Sequence, residues 1–421
     1  MAGNDKTIYV YADWVDNSPV FMGRLITSYI RGKESFSFEY NKDWIRLNKF
    51  CFTFDPDLFL YEGRQFPPDK PLFGVFSDSS PDRWGRMLMK RKEAIIAARE
   101  NRKPKTLLDS DYLLGVYDET RLGALRYSTE ENGQFLSVDK EMAAPPWTTL
   151  RKLETASLAY ESDVGGEEEK WLKQLLAPGS SLGGARPKAS VYAPDGTLWI
   201  AKFPSKHDEW NSGAWEMVVH ELAIKCGLNV PEAKLNTFSD AGSTFLVKRF
   251  DRVGKCRKHF SSAMALLGKT DGSGADGASY LDIASFIKSN GSSPKEDLKE
   301  LWSRIVFNMA VSNTDDHLRN HGFLLTEDGW VLSPMYDVNP NIYGNTLSLN
   351  VSSNDNRIDF NLIIDMAHYY ELDLEEAKNI LTRILSTVSE NWQQISESCE
   401  LSKGEITRMK PAFEMAYKYS A

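Results

Sequence analysis

A chain of 421 residues is long enough for two or three domain-sized units, and 17 Tyr, 11 Trp and 21 Phe argue against general disorder. The formal net charge of -9 is a poor match for a phosphate backbone, which argues against strong direct binding to DNA by this chain alone. The scattered Cys51, Cys226, Cys256 and Cys399 form no CxxC pair, the start is polar, and no run approaches the roughly 18 apolar residues of a membrane span, so a cytoplasmic setting is expected.

Along the chain, Thr7–Tyr11 and Phe21–Ile26 read as strands about the turn signal Asp16-Asn17-Ser18-Pro19. A helix is expected from Ser80-Pro81-Asp82, with Ser80 as cap, Pro81 at the first position and Asp82 favouring the helix dipole. Further helix is expected at Glu93–Arg99, and a strand at Leu122–Tyr127. The polar stretch from Ser128 to Pro146 reads as a linker. Helical patches follow at Thr149–Tyr160 and Glu167–Ala177. Ser190–Tyr192 and Leu198–Phe203 read as strands joined by the hairpin signal Pro194-Asp195-Gly196. A helix over Ala214–Cys226 should stop at Gly227, and a strand is expected at Ser243–Lys248. Beyond Phe260 the pattern is mainly helical, broken by one hairpin.

The chemistry concentrates between Ser293 and Asp337. Leu298, Leu301, Trp302, Ile305, Val306, Met309 and Ala310 repeat at the spacing of a buried helical stripe. The loop Ser312–Asn320 comes next, then a hairpin about Thr326-Glu327-Asp328-Gly329 that delivers Ser333-Pro334-Met335-Tyr336-Asp337. Phosphoryl transfer needs a carboxylate to orient the attacking hydroxyl and oxygen ligands that hold magnesium against phosphates. Asp-x-x-x-x-Asn supplies both from one short loop. Asp315 would orient or deprotonate the acceptor; Asn320 and Asp337 would ligate the metal. By itself the motif also fits a polar loop whose Asp and Asn cap turns. His317 and His321 are read as structural or hydrogen-bonding side chains, not a zinc pair. Asp316 is read as a spare carboxylate near the metal or as solvated, with solvated preferred. Asp271–Gly277 lacks the terminal glutamate of a calcium loop and reads as a flexible segment near a substrate cleft or a plain connector.

Thr314-Asp315-Asp316-His317-Leu318-Arg319-Asn320 followed by Leu332–Asp337 resembles the signature of the HipA-type toxin kinases. The resemblance extends to Ser181–Lys188, similar to that family's phosphate-contacting loop, and to Trp199–Pro204, similar to its ATP-lysine strand. It also takes in Cys226–Pro231, Val247–Arg252 and the front segment Ser80–Arg86. It implies an α+β, two-lobed, protein-kinase-like fold related to phosphatidylinositol kinases. An N-terminal α/β accessory domain (1–128) would be joined by a linker (129–147) to a kinase N-lobe (148–252) and a mainly helical C-lobe (253–421).

The resemblance further implies a serine/threonine protein kinase using ATP and Mg2+. Lys202 and Lys188 would hold phosphates, with Ser181, Gly183, Gly184 and Ala185 offering backbone N–H groups. Glu216 is the candidate to hold Lys202, although an exposed helix glutamate is the simpler alternative. Lys248 and Phe250 would lie at the adenine and Asp251 at the ribose, unless Asp251 and Arg252 form a surface pair. Autophosphorylation of Ser181, or of the adjacent Ser180, would silence the enzyme by adding charge to the phosphate-binding loop. Implied partners are a HipB-like helix-turn-helix antitoxin, with DNA reached only through it, and a translation component such as an aminoacyl-tRNA synthetase as substrate. A small-molecule or lipid kinase, and a catalytically degenerate binding module or co-repressor, are the rival expectations.

Overall fold

The structure is a computed structural model that describes residues 5–30, 33–47, 54–136, 144–162, 175, 186–272 and 277–420. It divides into two compact units. The first comprises residues 1–206, 251–261 and 268–270; the second comprises 207–250, 262–267 and 271–421.

In the first unit, β1 (Lys6–Ala12), β2 (Val20–Ile30), β3 (Lys33–Tyr40) and β4 (Leu125–Ser128) form an antiparallel sheet in the order β3-β2-β1-β4. Ile8 pairs with Leu25, which pairs in turn with Phe38. The alternation that puts Ile8, Val10 and Ala12 on one face of β1 meets Phe36, Phe38 and Tyr40 of β3, and all six are buried. Sequence reading missed β3, although Phe36, Phe38 and Tyr40 alternate with polar residues at the period of a half-buried strand. Helices among the described residues include α1 (Lys42–Leu47), α2 (Gly74–Asp78), α3 (Arg83–Arg99), α4 (Asp109–Gly115) and α5 (Leu150–Glu161). The two helical patches expected from Pro81 to Arg99 are one helix, and its cap is Asp82, not Ser80. The Asp82 carboxylate accepts from the Gly85 N–H at 2.6 Å, while the Ser80 hydroxyl donates back to Phe76 at 3.1 Å. A carboxylate at the cap satisfies an orphan donor and also faces the positive helix end, which the hydroxyl does less well.

The hairpin β5 (Lys188–Tyr192) and β6 (Leu198–Lys202) turns at Gly196, whose φ of 79° lies in the left-handed region. A short ribbon of β9 (Arg252–Val253) and β10 (Cys256–Arg257) also belongs to this unit. Beside it, His259 packs against both Trp14 at 4.5 Å and Phe54 at 4.9 Å, and burial pushes its imidazole down to about 3. The unfolded chain then binds the extra proton below about pH 6.5, so stability should fall as pH drops. We expect His259→Phe to remove a loss of about 2 kcal/mol between pH 7 and pH 5, read as the wild-type-minus-variant difference in urea unfolding. The comparison must be made against wild type at each pH, because Asp55, raised to about 6 by burial, shifts stability in the opposite sense.

The second unit opens with α6 (Ser212–Lys225) and the hairpin β7 (Ala233–Ser239) and β8 (Gly242–Lys248). A Cβ on Gly213 would stand 2.0 Å from the Ser243 carbonyl oxygen, so only glycine allows α6 to lie this close to β8. The helix ends as expected at Gly227, in the left-handed region at φ 73°, with Leu228 N–H reaching back to Ala223 at 3.0 Å. After β11 (Phe260–Ser262) come α7 (Ala263–Leu266), α8 (Tyr280–Asn290) and α9 (Pro294–Ala310). The hairpin β12 (Gly322–Thr326) and β13 (Gly329–Leu332) follows, then α10 (Phe360–Asp365), α11 (Leu374–Ser398), α12 (Lys403–Met409) and α13 (Glu414–Ser420). The expected stripe of α9 is wholly buried, and Trp392 of α11 stacks on Phe413 at 4.5 Å to close the far side of this core. Among the described residues no helix is long and apolar enough to cross a membrane.

Candidate functional site

Helix α9 ends without a glycine. Ser312 adopts φ 51°, and Asn313 N–H returns to the Asn308 carbonyl at 2.8 Å. This turn throws the chain into the loop that carries Asp315 and Asn320. Asp315 is exposed and its neighbour Asp316 is buried, so the two carboxylates leave the loop on different sides. Asn320 donates its side-chain N–H to the Asp315 carbonyl at 3.2 Å and its backbone N–H to His317 at 2.8 Å. With the amide nitrogen engaged, the amide oxygen is the group left for a cation.

Hydrogen bonds fix the segment bearing Asp337. Arg304, 1 % exposed, donates to the Ser333 carbonyl at 2.8 Å, and Met335 N–H donates to Asn229 at 2.8 Å. The Tyr336 hydroxyl donates to the Arg319 carbonyl at 2.7 Å, and Asn339 N–H donates to the Asn313 side-chain oxygen at 3.4 Å. Further on, Asn341 holds Ser312 at 3.1 Å through its N–H and the Thr314 hydroxyl at 2.7 Å through its side chain. Asp337 is thus pinned on both sides against the loop of Asp315 and Asn320, in the left-handed conformation at φ 59°. A non-glycine residue there is strained, and such outliers concentrate at functional sites. The 226–231 stretch, quoted above on its sequence, acts here through the Asn229 carbonyl. Phe250 rests on the Tyr336 ring at 5.8 Å, so the 247–250 stretch expected at the adenine ends beside the residue preceding Asp337.

Asp316 is where the expectation fails. Its carboxylate is not solvated: it is 2 % exposed, and one oxygen accepts from the Tyr280 hydroxyl at 2.6 Å, Asn308 at 2.7 Å and His321 at 3.0 Å. Burial by itself would raise this carboxyl, but His321 and the hydrogen bonds outweigh it and hold the group below its ordinary value. Tyr280 moves the other way, raised first by burial and then by the Asp316 charge, so it remains a hydroxyl donor. His321 therefore has the hydrogen-bonding role expected of it. Arg319 forms a two-pronged pair with Asp271 at 2.8 and 2.9 Å, which ties the start of the 271–277 segment to the loop; residues 273–276 lie outside the described ones.

The remaining expected residues divide between the units. Ser180, Ser181, Gly183, Gly184 and Ala185 lie outside the described residues. Lys202 is half-buried at the end of β6, in register with Lys188 of β5. Lys188 is 3 % exposed and faces the Asp82 carboxylate at 3.5 Å, so a protein counter-charge already stands at the ammonium meant for phosphate. Glu216 is 6 % exposed and so not the solvated helix glutamate of the simpler alternative. Lys248 pairs at the surface with Glu232 at 3.3 Å.

Asp251 has the Arg252 partner of the alternative expectation. Its pair with Arg252, at 2.7 Å, is buried instead of lying on the surface, and the same oxygen accepts from Gly123 N–H at 2.8 Å. Arg252 completes the lock on the Arg121 and Gly123 carbonyls at 2.6 and 2.9 Å. That oxygen anchors the chain within the first unit; the sequence could not show it, because the partners are about 130 residues away.

A family model described as the HipA-like C-terminal domain matches residues 180–392. Y4mE of Sinorhizobium fredii, named for an inferred kinase activity, is 26 % identical over 182 residues, which is 38 % of this chain and 41 % of that one. A Haemophilus influenzae protein named in the same way is 27 % identical over 285 residues, 59 % of this chain and 78 % of that one. The solved complex of Shewanella oneidensis HipA with HipB and operator DNA contains a chain of like fold. Its TM-score is 0.66 at 16 % identity, with 97 % of this chain and 95 % of that one covered. The fold is mixed α/β and HipA-like over nearly its whole length, and, with the family model matched over just over half of its residues, the chain belongs to the HipA-like family.

Proposed function

We propose that this protein is an ATP- and magnesium-dependent kinase of serine or threonine hydroxyls, acting as the toxin of a toxin–antitoxin pair. The observation that carries it is the hydrogen-bonded frame joining the 312–320 loop, which bears Asp315 and Asn320, to residues 333–341, which bear Asp337. One amide oxygen and one carboxylate suit magnesium, which keeps waters and phosphate oxygens for most of its shell. Bound there, the metal would neutralise phosphate charge. Asp315 accepts the hydroxyl proton as the acceptor oxygen bonds to the γ-phosphorus and the bond from phosphorus to the β-bridging oxygen breaks, releasing ADP.

Lys202, with Glu216 to orient it, would hold the nucleotide phosphates together with the 181–188 loop. The Val247–Phe250 backbone would face adenine, with Lys248 outside. Lys188 would serve phosphate only by sharing its charge with Asp82. The division into an accessory domain, linker, N-lobe and C-lobe at residues 128, 147 and 252 belongs to this proposal. So do a translation component as the target, a HipB-like antitoxin as partner and silencing by phosphate on Ser181 or Ser180.

The test incubates the protein with magnesium and γ-labelled ATP, with and without host lysate, followed by mass spectrometry of the protein itself. A labelled lysate protein and a phosphate on Ser180 or Ser181 are expected. Label appearing only in small molecules would overturn the protein-kinase reading, and failure to bind magnesium-ATP would overturn kinase activity altogether.

A further inference from the structure

We infer that Asp316, with Tyr280, Asn308 and His321, forms the positioning hub of the transfer reaction, a network that touches no substrate but sets the direction of all three site residues. The inference rests on the kinase reading above. Three donors from three elements converge on one carboxylate oxygen: Tyr280 opens α8, Asn308 lies in the last turn of α9, and His321 directly follows Asn320. One atom therefore ties both ends of the loop to two helices.

Each site residue is one short step from that atom. Asp315 precedes Asp316 in the chain, and because Asp316 is held inward, Asp315 is turned outward. Asn320 precedes His321, whose ring is held by Asp316 and whose carbonyl accepts from Ala263 N–H at 2.8 Å. Asp337 is reached through amides. Asn308 gives its N–H to Asp316, its oxygen accepts from the Asn313 side-chain N–H at 3.1 Å, and the Asn313 oxygen accepts from the backbone N–H of Asn339, two residues past Asp337. Asn308 and Asn313 are each 1 % exposed, so water does not compete for these bonds.

An ionised carboxylate at this depth carries a desolvation cost that an apolar side chain would not. What it supplies in exchange is direction: three donors with fixed geometry on a single oxygen. Transfer by alignment depends on that kind of support, and misplacement by about 1 Å can cost on the order of 100-fold.

The test uses the full-length protein, γ-labelled ATP and host lysate. Initial rates are divided by the number of magnesium-ATP binding sites counted by titration, so that unfolded molecules drop out. His321→Leu and Asp316→Asn are each expected to lower kcat per site about 10–100-fold, as loss of outer-shell support typically does, with KM for ATP changed by less than about threefold. His321→Gln, whose side-chain N–H can reach the same oxygen, should regain most of what His321→Leu loses. Wild-type kcat per site in His321→Leu would overturn the inference while leaving the kinase reading intact, as would a Gln variant no better than Leu. A wild type that binds no magnesium-ATP and labels nothing would overturn both.

Discussion

Replacing Asp315 with alanine is expected to lower kcat by about 10²–10⁴-fold, the range typical for loss of a positioned general base, while thermal unfolding shifts by no more than a surface substitution does. The asymmetry follows from where the side chain lies. Asp315 is exposed, and its backbone carbonyl, not its carboxylate, receives the Asn320 side chain. Truncation at Cβ therefore leaves that bond, the Asp316 network and the Tyr336–Arg319 bond in place. ATP binding should persist with KM close to wild type, because the groups assigned to the phosphates lie elsewhere in the chain. Measuring labelled-phosphate transfer beside ATP titration and a thermal melt separates the outcomes. Transfer by Asp315→Ala at a near wild-type rate would show that the hydroxyl is oriented by another group, and the role assigned to Asp315 would fall.

The largest expected effect on stability lies in the first unit. Asp118, 1 % exposed, receives Arg126 at 2.6 Å and Arg257 at 2.9 Å, and both guanidinium groups also reach Asp13, at 3.4 and 3.3 Å. Burial would raise the Asp118 carboxyl, but Arg257 and Arg126, with Arg121 nearby, pull it below its ordinary value. Arg121 is itself 1 % exposed, donates to the Ser79 and Val116 carbonyls at 2.8 and 3.1 Å, and lies over the Tyr127 ring at 4.6 Å. Asp118→Ala would leave Arg126 and Arg257 facing one half-buried carboxylate, Asp13, in place of two. Removing one partner of a buried ion pair typically costs about 3–5 kcal/mol, because the remaining charge is stranded. We expect a loss of that size in urea unfolding. Asp118→Asn should also lose stability, since it keeps the shape but not the charge. A loss below about 1 kcal/mol in both variants would mean that Asp13 and water compensate and that this cluster is not a fixed point of the unit.

Much of the second unit was legible in the residue order because its signals are local. The apolar stripe of α9 repeats within 17 residues, Gly227 ends α6 through its own φ, and the hairpin of β12 and β13 turns at Gly329. Each depends on neighbours a few positions apart, where steric rules and amphipathic spacing act directly. The Asp-x-x-x-x-Asn spacing belongs to the same class: its two members meet through a hydrogen bond over five residues. The missed strand β3 was also local, since its buried aromatic alternation is plain once its partner β2 is known.

What the order of residues determined by itself is therefore an inventory with local geometry: which segments coil or extend, where turns fall, and that Asp315, Asn320 and Asp337 come in sequence around a buried helix and a hairpin. Which of two adjacent aspartates faces solvent was decided by the tertiary structure alone. Asp315 and Asp316 differ in no local property; Tyr280, 36 residues upstream, makes one of them a buried hub. The surroundings of Asp251 and Lys188 are likewise set from afar, by Gly123 and Asp82. The reason is common to all of these: a charged side chain goes where its desolvation is offset, and the groups that offset it are assembled only when distant segments pack.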